Sequence, residues 1–129
     1  MSLIESIKEH EGFRGYAYKD SLGYDTIGYG TKLPLTKEEA ELILKHRLNA
    51  FTKEVNEKLE WLDIPPDKME ILYEMAYQMG VSGLLKFRNM LSALNEKDYK
   101  TAAKEMLDSR WARQTPNRAS ELAARMGRE

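Results

Sequence analysis

The chain has 129 residues, 42% of them hydrophobic and 32% charged, with a formal net charge of −1 at pH 7 and no cysteine. That length suits one folded domain that buries about two-thirds of its unfolded surface, and the near-neutral charge provides no global field for capturing nucleic acid. Disulfides and cysteine-based metal sites are excluded, and no apolar run is long enough to span a membrane. Charge is unevenly spread, with five Arg against two Glu in residues 110–129.

The elements follow in chain order. Ser2 and Glu5 have the spacing of a capping box and predict a helix over residues 3–11, stopped by Gly12. Its charged, amphipathic character lacks a signal-peptide core, so the expected site of folding is the cytoplasm. From Tyr16 to Tyr29 the period changes to two, around a turn at Ser21-Leu22-Gly23, which predicts a hairpin pairing 16–20 with 24–29. Thr36 and Glu39 make a second capping box. Behind it Ala40, Leu44, Leu48, Phe51, Val55, Leu59 and Leu62 keep helical spacing, predicting a helix over 37–60 that ends before Pro65-Pro66.

The remainder reads as packed helices. One starts at Pro66 or Asp67 and stops at Gly80, with Met69, Leu72, Ala76 and Met79 inward. Short helices are expected at 84–87 and 88–94. Asp98 is placed to cap another, which turns Ala102, Ala103, Met106 and Leu107 inward. Thr115-Pro116 reads as an N-cap followed by Pro at the first helical position, opening a last helix with Ala119, Leu122, Ala123 and Met126 inward. The expected fold class is α+β: a small hairpin lobe at 12–36, a connecting helix at 37–60, and a larger helical lobe of 66–129 together with helix 3–11. His10 and His46 have no metal-ligand partners, so no metal is expected.

Candidate chemistry begins at Glu11. Leu3, Ile7 and Glu11 stack on one helical face, so the apolar stripe ends on an acid. Burial there, together with the partial negative charge of the helix C-terminus, would favour the neutral carboxyl that a general acid needs. Asp20 ends the first expected strand and Thr26 lies on the returning one, so a tight turn brings them together. Two carboxyl groups and a hydroxyl on one groove are the equipment for glycosidic cleavage.

The runs E-G-x(5)-Y-K-D and G-Y-x-T-I-G-x-G resemble the catalytic stretch of the phage-type lysozymes, the muramidases typified by the T-even bacteriophage enzyme. Glu11, Asp20 and Thr26 fall on that family's E-x8-D-x5-T pattern without a gap, and "YQMG" (77–80) and "SRWARQTPNRA" (109–119) resemble segments of its helical lobe. The resemblance implies a lysozyme fold that hydrolyses the β-1,4 bond from N-acetylmuramic acid to N-acetylglucosamine in peptidoglycan. Glu11 would donate the proton, and Asp20 with Thr26 would hold and activate water, giving inversion. It further implies that Arg118 orients Glu11 and that Tyr77 and Gln78 line the cleft from the helical lobe. From the residues themselves, Tyr18 and Tyr24 are expected to flank the groove, Gly28 and Gly30 to let sugar approach the backbone, and Lys32 to stand near the groove mouth. Trp111 and the methionines are expected to be core. An endolysin of this kind needs no cofactor. It is expected to be a monomer without stable membrane or nucleic-acid partners, made in the host bacterial cytoplasm and released to the cell wall by a holin.

Departures mark the limits of the carry-over. Thr31 stands where the family commonly has His, the 31–36 segment is short, and Met90 and Glu105 replace small polar groups, so those contacts are not transferred. Two rivals remain on this scaffold: a lytic transglycosylase, which needs one acid and leaves a 1,6-anhydro product, and a catalytically silent wall-binding domain. A helical DNA-binding protein has only the Arg-rich tail in its favour.

Overall fold

A computed structural model describes residues 2–128. Among them, helices α1 (Leu3–Glu11), α2 (Lys37–Lys58), α3 (Pro66–Leu85), α4 (Arg88–Asn95), α5 (Tyr99–Leu107), α6 (Arg110–Gln114) and α7 (Pro116–Met126) accompany strands β1 (Arg14–Lys19), β2 (Asp25–Gly28) and β3 (Thr31–Lys32). The fold class is α+β. The chain divides into two compact units, Met1–Ile43 and Leu44–Glu129, with the boundary inside α2. Helix α1, expected with the helical lobe, therefore groups with the sheet.

In the first unit, the Ser2 hydroxyl accepts the Glu5 N–H while the Glu5 carboxylate accepts the Ser2 N–H, the reciprocal pair its sequence foretells. The strands form an antiparallel sheet in the order β1-β2-β3. Tyr18 stands opposite Thr26 and Lys19 opposite Asp25, with a register shift between Tyr18 and the Arg14–Gly28 pair. The third strand, which pairs Thr26 with Lys32 and Ile27 with Thr31, was not expected from the sequence. Two residues are too few to show a period of two.

The helical unit holds the hydrophobic core. Val55, Leu72, Met75, Leu84, Met90, Leu94, Met106 and Met126 are fully enclosed, and burying each such side chain contributes about 1.5–3 kcal/mol. Gly80 takes φ 81°, ψ 160° inside α3, so the expected stop is a break within one longer element. Residues 84–87 thus end that element or follow it, and form no separate helix. Asp98 caps α5 through the Thr101 N–H at 3.1 Å. Thr115 does not cap α7; its hydroxyl donates back to the Trp111 carbonyl at 3.0 Å, because α6, unforeseen in the sequence, ends there. Leu107, expected inward, is exposed.

Among the described residues of this unit, Lys68 is the one buried charged side chain. Its ammonium donates to the carbonyls of Arg125, Met126 and Arg128 and lies 5.0 Å from the centre of the Tyr99 ring. It thereby satisfies the Arg125 and Met126 carbonyls, which the last turn of α7 leaves without intrahelical partners, and ties down Arg128 just beyond it.

Candidate active site

Glu11 is the last residue of α1. Gly12 follows at φ 69° and ψ 162°, a conformation that suits glycine and turns the chain toward β1. Across from it Gly30, in the turn between β2 and β3, has φ 74° and touches the acid: an added Cβ would stand 2.5 Å from Glu11 Oε2 and 2.6 Å from Cδ. The Lys8 ammonium lies 5.4 Å from the centre of the Tyr29 ring, and the Phe13 and Tyr29 rings are 5.6 Å apart, so the helix end and the turn share further contacts.

The expected burial of Glu11 does not hold within this unit. Leu3 and Ile7 are 77% and 45% exposed, no residue of α1 is buried, and Glu11 is exposed. A nine-residue helix with three apolar side chains has too narrow a face to desolvate its last residue. Glu11 is placed by its contact with Gly30 instead.

Asp20 closes the β1–β2 turn. Its N–H donates to the Tyr24 carbonyl at 2.9 Å, and its own carbonyl accepts the Gly23 N–H at 3.0 Å. Its Oδ1 accepts two backbone N–H groups, Leu22 at 2.9 Å and Tyr24 at 2.8 Å, while Oδ2 accepts from the Lys32 ammonium. The Lys32 hydrogen bond, followed by that of Tyr24, holds the Asp20 carboxyl below the usual aspartate range. Asp20 in turn holds the Lys32 ammonium above the usual lysine value, and the charges of Glu11 and Tyr18 act in the same direction.

Thr26 sits in the central strand with 0% exposure, between Tyr18 and Lys32 on its neighbours. Its hydroxyl donates to the Tyr24 carbonyl at 2.8 Å. That bond uses the hydroxyl's one donor proton and leaves its acceptor lone pairs. Thr26 thereby steadies Tyr24, the residue whose N–H grips Asp20. Tyr18 is half-buried beneath the Arg14 guanidinium, 4.4 Å from the ring centre, and Tyr24 is exposed. Gly28 has φ 71° and open space where a side chain would project.

The remaining candidates lie in the helical unit. Arg118 Nε donates to Glu74 Oε2 at 3.0 Å. Glu74, a partner that no local pattern announces, lies 44 residues earlier in the chain. Arg118, Glu74, Tyr77, Tyr73 and Leu48 line a cavity of about 450 Å³. Tyr77 packs edge-on against Phe51 with ring centres 5.9 Å apart. Gln78 Oε1 accepts the Trp111 indole N–H at 2.9 Å, and Trp111 is buried edge-on to Phe87, in keeping with its reading as core. Met90 and Glu105 line a separate cavity of about 580 Å³ with Lys86, Arg88 and Arg110. Among the described residues no group of three His, Cys, Asp or Glu side chains is arranged to hold a metal ion.

An α+β fold of this order, with an acid ending its first helix and a second acid closing the hairpin, has the form of a lysozyme-like protein. The phage lysozyme family model matches residues 8–129, and the chain belongs to the phage lysozyme family. It is 31% identical over 155 residues to the probable T4-type lysozyme 1 of Dictyostelium discoideum, an alignment covering 94% of this chain and 91% of that protein. It is 30% identical over 154 residues to the pre-baseplate central spike protein Gp5 of Enterobacteria phage T4, covering 95% of this chain and 27% of the spike protein. The peptidoglycan hydrolase gp36 of Pseudomonas phage phiKMV is 27% identical over 132 residues. The chain thus spans nearly the full length of the Dictyostelium protein but about a quarter of the spike protein and 15% of gp36.

Proposed function

We propose that this chain is a muramidase that hydrolyses the β-1,4 bond between N-acetylmuramic acid and N-acetylglucosamine in peptidoglycan. The observation that carries the proposal is the convergence of Glu11 and Asp20 on β3 and the turn before it. Glu11 lies against Gly30, and Asp20 is bound by Lys32 two residues further on.

The two acids have different surroundings, as glycoside hydrolysis requires. Asp20 takes three hydrogen bonds from donors, one of them cationic, so it is ionised throughout the neutral range. Glu11 is an exposed side chain against a glycine backbone, open to an incoming sugar. In the proposed reaction Glu11 gives its proton to the glycosidic oxygen as the bond from that oxygen to the anomeric carbon breaks. Water adds to the anomeric carbon and passes a proton to Asp20, and exchange with solvent resets both acids. Attack by water rather than by Asp20 itself gives inversion, as the resemblance implies. Thr26 takes part by holding Tyr24, and so the N–H of Tyr24 on Asp20. Tyr18, Tyr24 and Gly28 flank these acids in the same unit and are assigned to glycan contact, as are Tyr77 and Gln78 in the helical unit.

We extend the proposal to host lysis, with release from the cytoplasm to the wall through a holin-opened membrane. This extension is supported by the resemblance to phage endolysins. Among the described residues no helix is long and apolar enough to cross a membrane.

Digestion of purified murein followed by mass spectrometry tests the reaction. Hydrolysis yields reducing N-acetylmuramic acid ends. A product confined to 1,6-anhydro ends would identify a transglycosylase, and intact murein would identify a silent scaffold.

A further inference from the structure

The hydrogen-bond inventory of Asp20 leads further. An ionised carboxylate offers about four acceptor sites, two on each oxygen. Oδ1 fills both of its sites with the N–H groups of Leu22 and Tyr24. Oδ2 accepts from Lys32 Nζ, and among the described residues it has no second donor. One acceptor site therefore remains on the carboxylate, next to the ammonium. The Asp20 side chain is only 14% exposed, whereas that of Lys32 is 56% exposed and anchored by the backbone pairing of its strand with Thr26.

We propose that Lys32 is a positioning residue for the reaction: its ammonium occupies one site of Asp20 Oδ2, fixes the carboxylate plane, and directs the single remaining acceptor site to the attacking water. The inference rests on the muramidase reading and adds to it a residue that the sequence placed only near the mouth of the groove. A cation one hydrogen bond away also keeps Asp20 ionised in moderately acidic solution. Among the described residues of this unit, the charged and titratable groups nearest Asp20 are these. Lys32 comes from β3, Glu11 from α1, Tyr18 and Lys19 from β1, and Tyr24 and Asp25 from the turn and β2. Lys19 is paired with Asp25 at 2.8 Å, which leaves Lys32 as the cation assigned to Asp20.

The test compares wild type, Lys32→Met and Lys32→Arg by two readouts. Carbon NMR titration of the Asp20 carboxyl needs no substrate. Lys32→Met is expected to raise the Asp20 titration midpoint toward the ordinary aspartate value of about 3.9, and Lys32→Arg to hold it nearer the wild-type position. Murein cleavage is then followed against pH. The acidic limb is expected to move upward in Lys32→Met, with kcat falling more than KM rises, and Lys32→Arg is expected to recover part of the loss. An unchanged Asp20 midpoint, or an acidic limb that stays in place while wild type remains active, overturns the role of Lys32 and leaves the muramidase reading intact. Absence of cleavage by wild type, with the midpoint shift present, overturns the muramidase reading and, with it, the direction of water by Lys32, while the Lys32–Asp20 coupling stands.

Discussion

The carboxyl group of Glu11 lies directly against the Cα of Gly30, so close that a Cβ there would stand 2.5 Å from Oε2. The C-terminus of α1 and the β2–β3 turn therefore meet at the proposed proton donor. Gly30 is required twice, by its φ of 74° and by the space its missing side chain leaves for the acid.

Replacing Gly30 with Ala separates these two requirements when it is compared with Gly28→Ala. Both positions have positive φ, and a left-handed non-glycine residue costs about 1–2 kcal/mol. Both variants are expected to lose comparable stability in urea unfolding. Only at Gly30 does the new methyl strike Glu11, since nothing lies within 4 Å of the corresponding point at Gly28. Murein cleavage is expected to fall further in Gly30→Ala than in Gly28→Ala.

Lys68 supplies a stability prediction remote from the proposed chemistry. Lys68→Met keeps most of the buried stem but strips three carbonyls, two in the last turn of α7 and that of Arg128 just beyond it, of their donor. With hydrogen bonds to charged groups worth about 1.5–3 kcal/mol each and incomplete additivity, a loss of about 3 kcal/mol is expected in denaturant unfolding. Amide exchange is expected to rise first in the last turn of α7.

Acid stability follows from three carboxyl groups held below their ordinary range: Asp20 by Lys32 and then Tyr24, Glu39 by the Thr36 N–H and hydroxyl, and Asp98 by Thr101. The unfolded chain binds protons at these groups at a higher pH than the folded chain does, so stability rises with pH across this interval. Their contribution is complete above the ordinary carboxylate range and is lost as pH falls through the lowered folded values. Urea midpoints measured from pH 6 down to pH 2 are expected to decline across that interval. The decline should be smaller in an Asp98→Asn variant, which has one titrating group fewer.

Much of this architecture was legible in the chain, for reasons that differ by element. Capping boxes at Ser2–Glu5 and Thr36–Glu39 are local patterns, and both form as read. The alternation around Ser21-Leu22-Gly23 gave the hairpin that carries Asp20 and Thr26. The periodic stripe of α2 was only half informative. Val55 is fully buried within the helical unit and Leu59 and Leu62, just beyond the helix, are buried, whereas Leu44 is exposed near the unit boundary. Periodicity records which residues share a face, not what covers that face. Side-chain contacts between residues far apart in the chain, within either unit, were the least legible. Lys32 reaches Asp20 across 12 residues through a two-residue strand, and Arg118 meets Glu74 across 44. Such pairings are set by tertiary packing, and no local pattern announces them.

The most direct measurement is the rate of murein cleavage by Glu11→Gln beside wild type, with both proteins shown to be equally folded. Glutamine keeps the shape of the side chain against Gly30 and removes its transferable proton. The account predicts a fall of about 10²–10⁴-fold, the usual contribution of a positioned general acid. Cleavage by Glu11→Gln at the wild-type rate would contradict it.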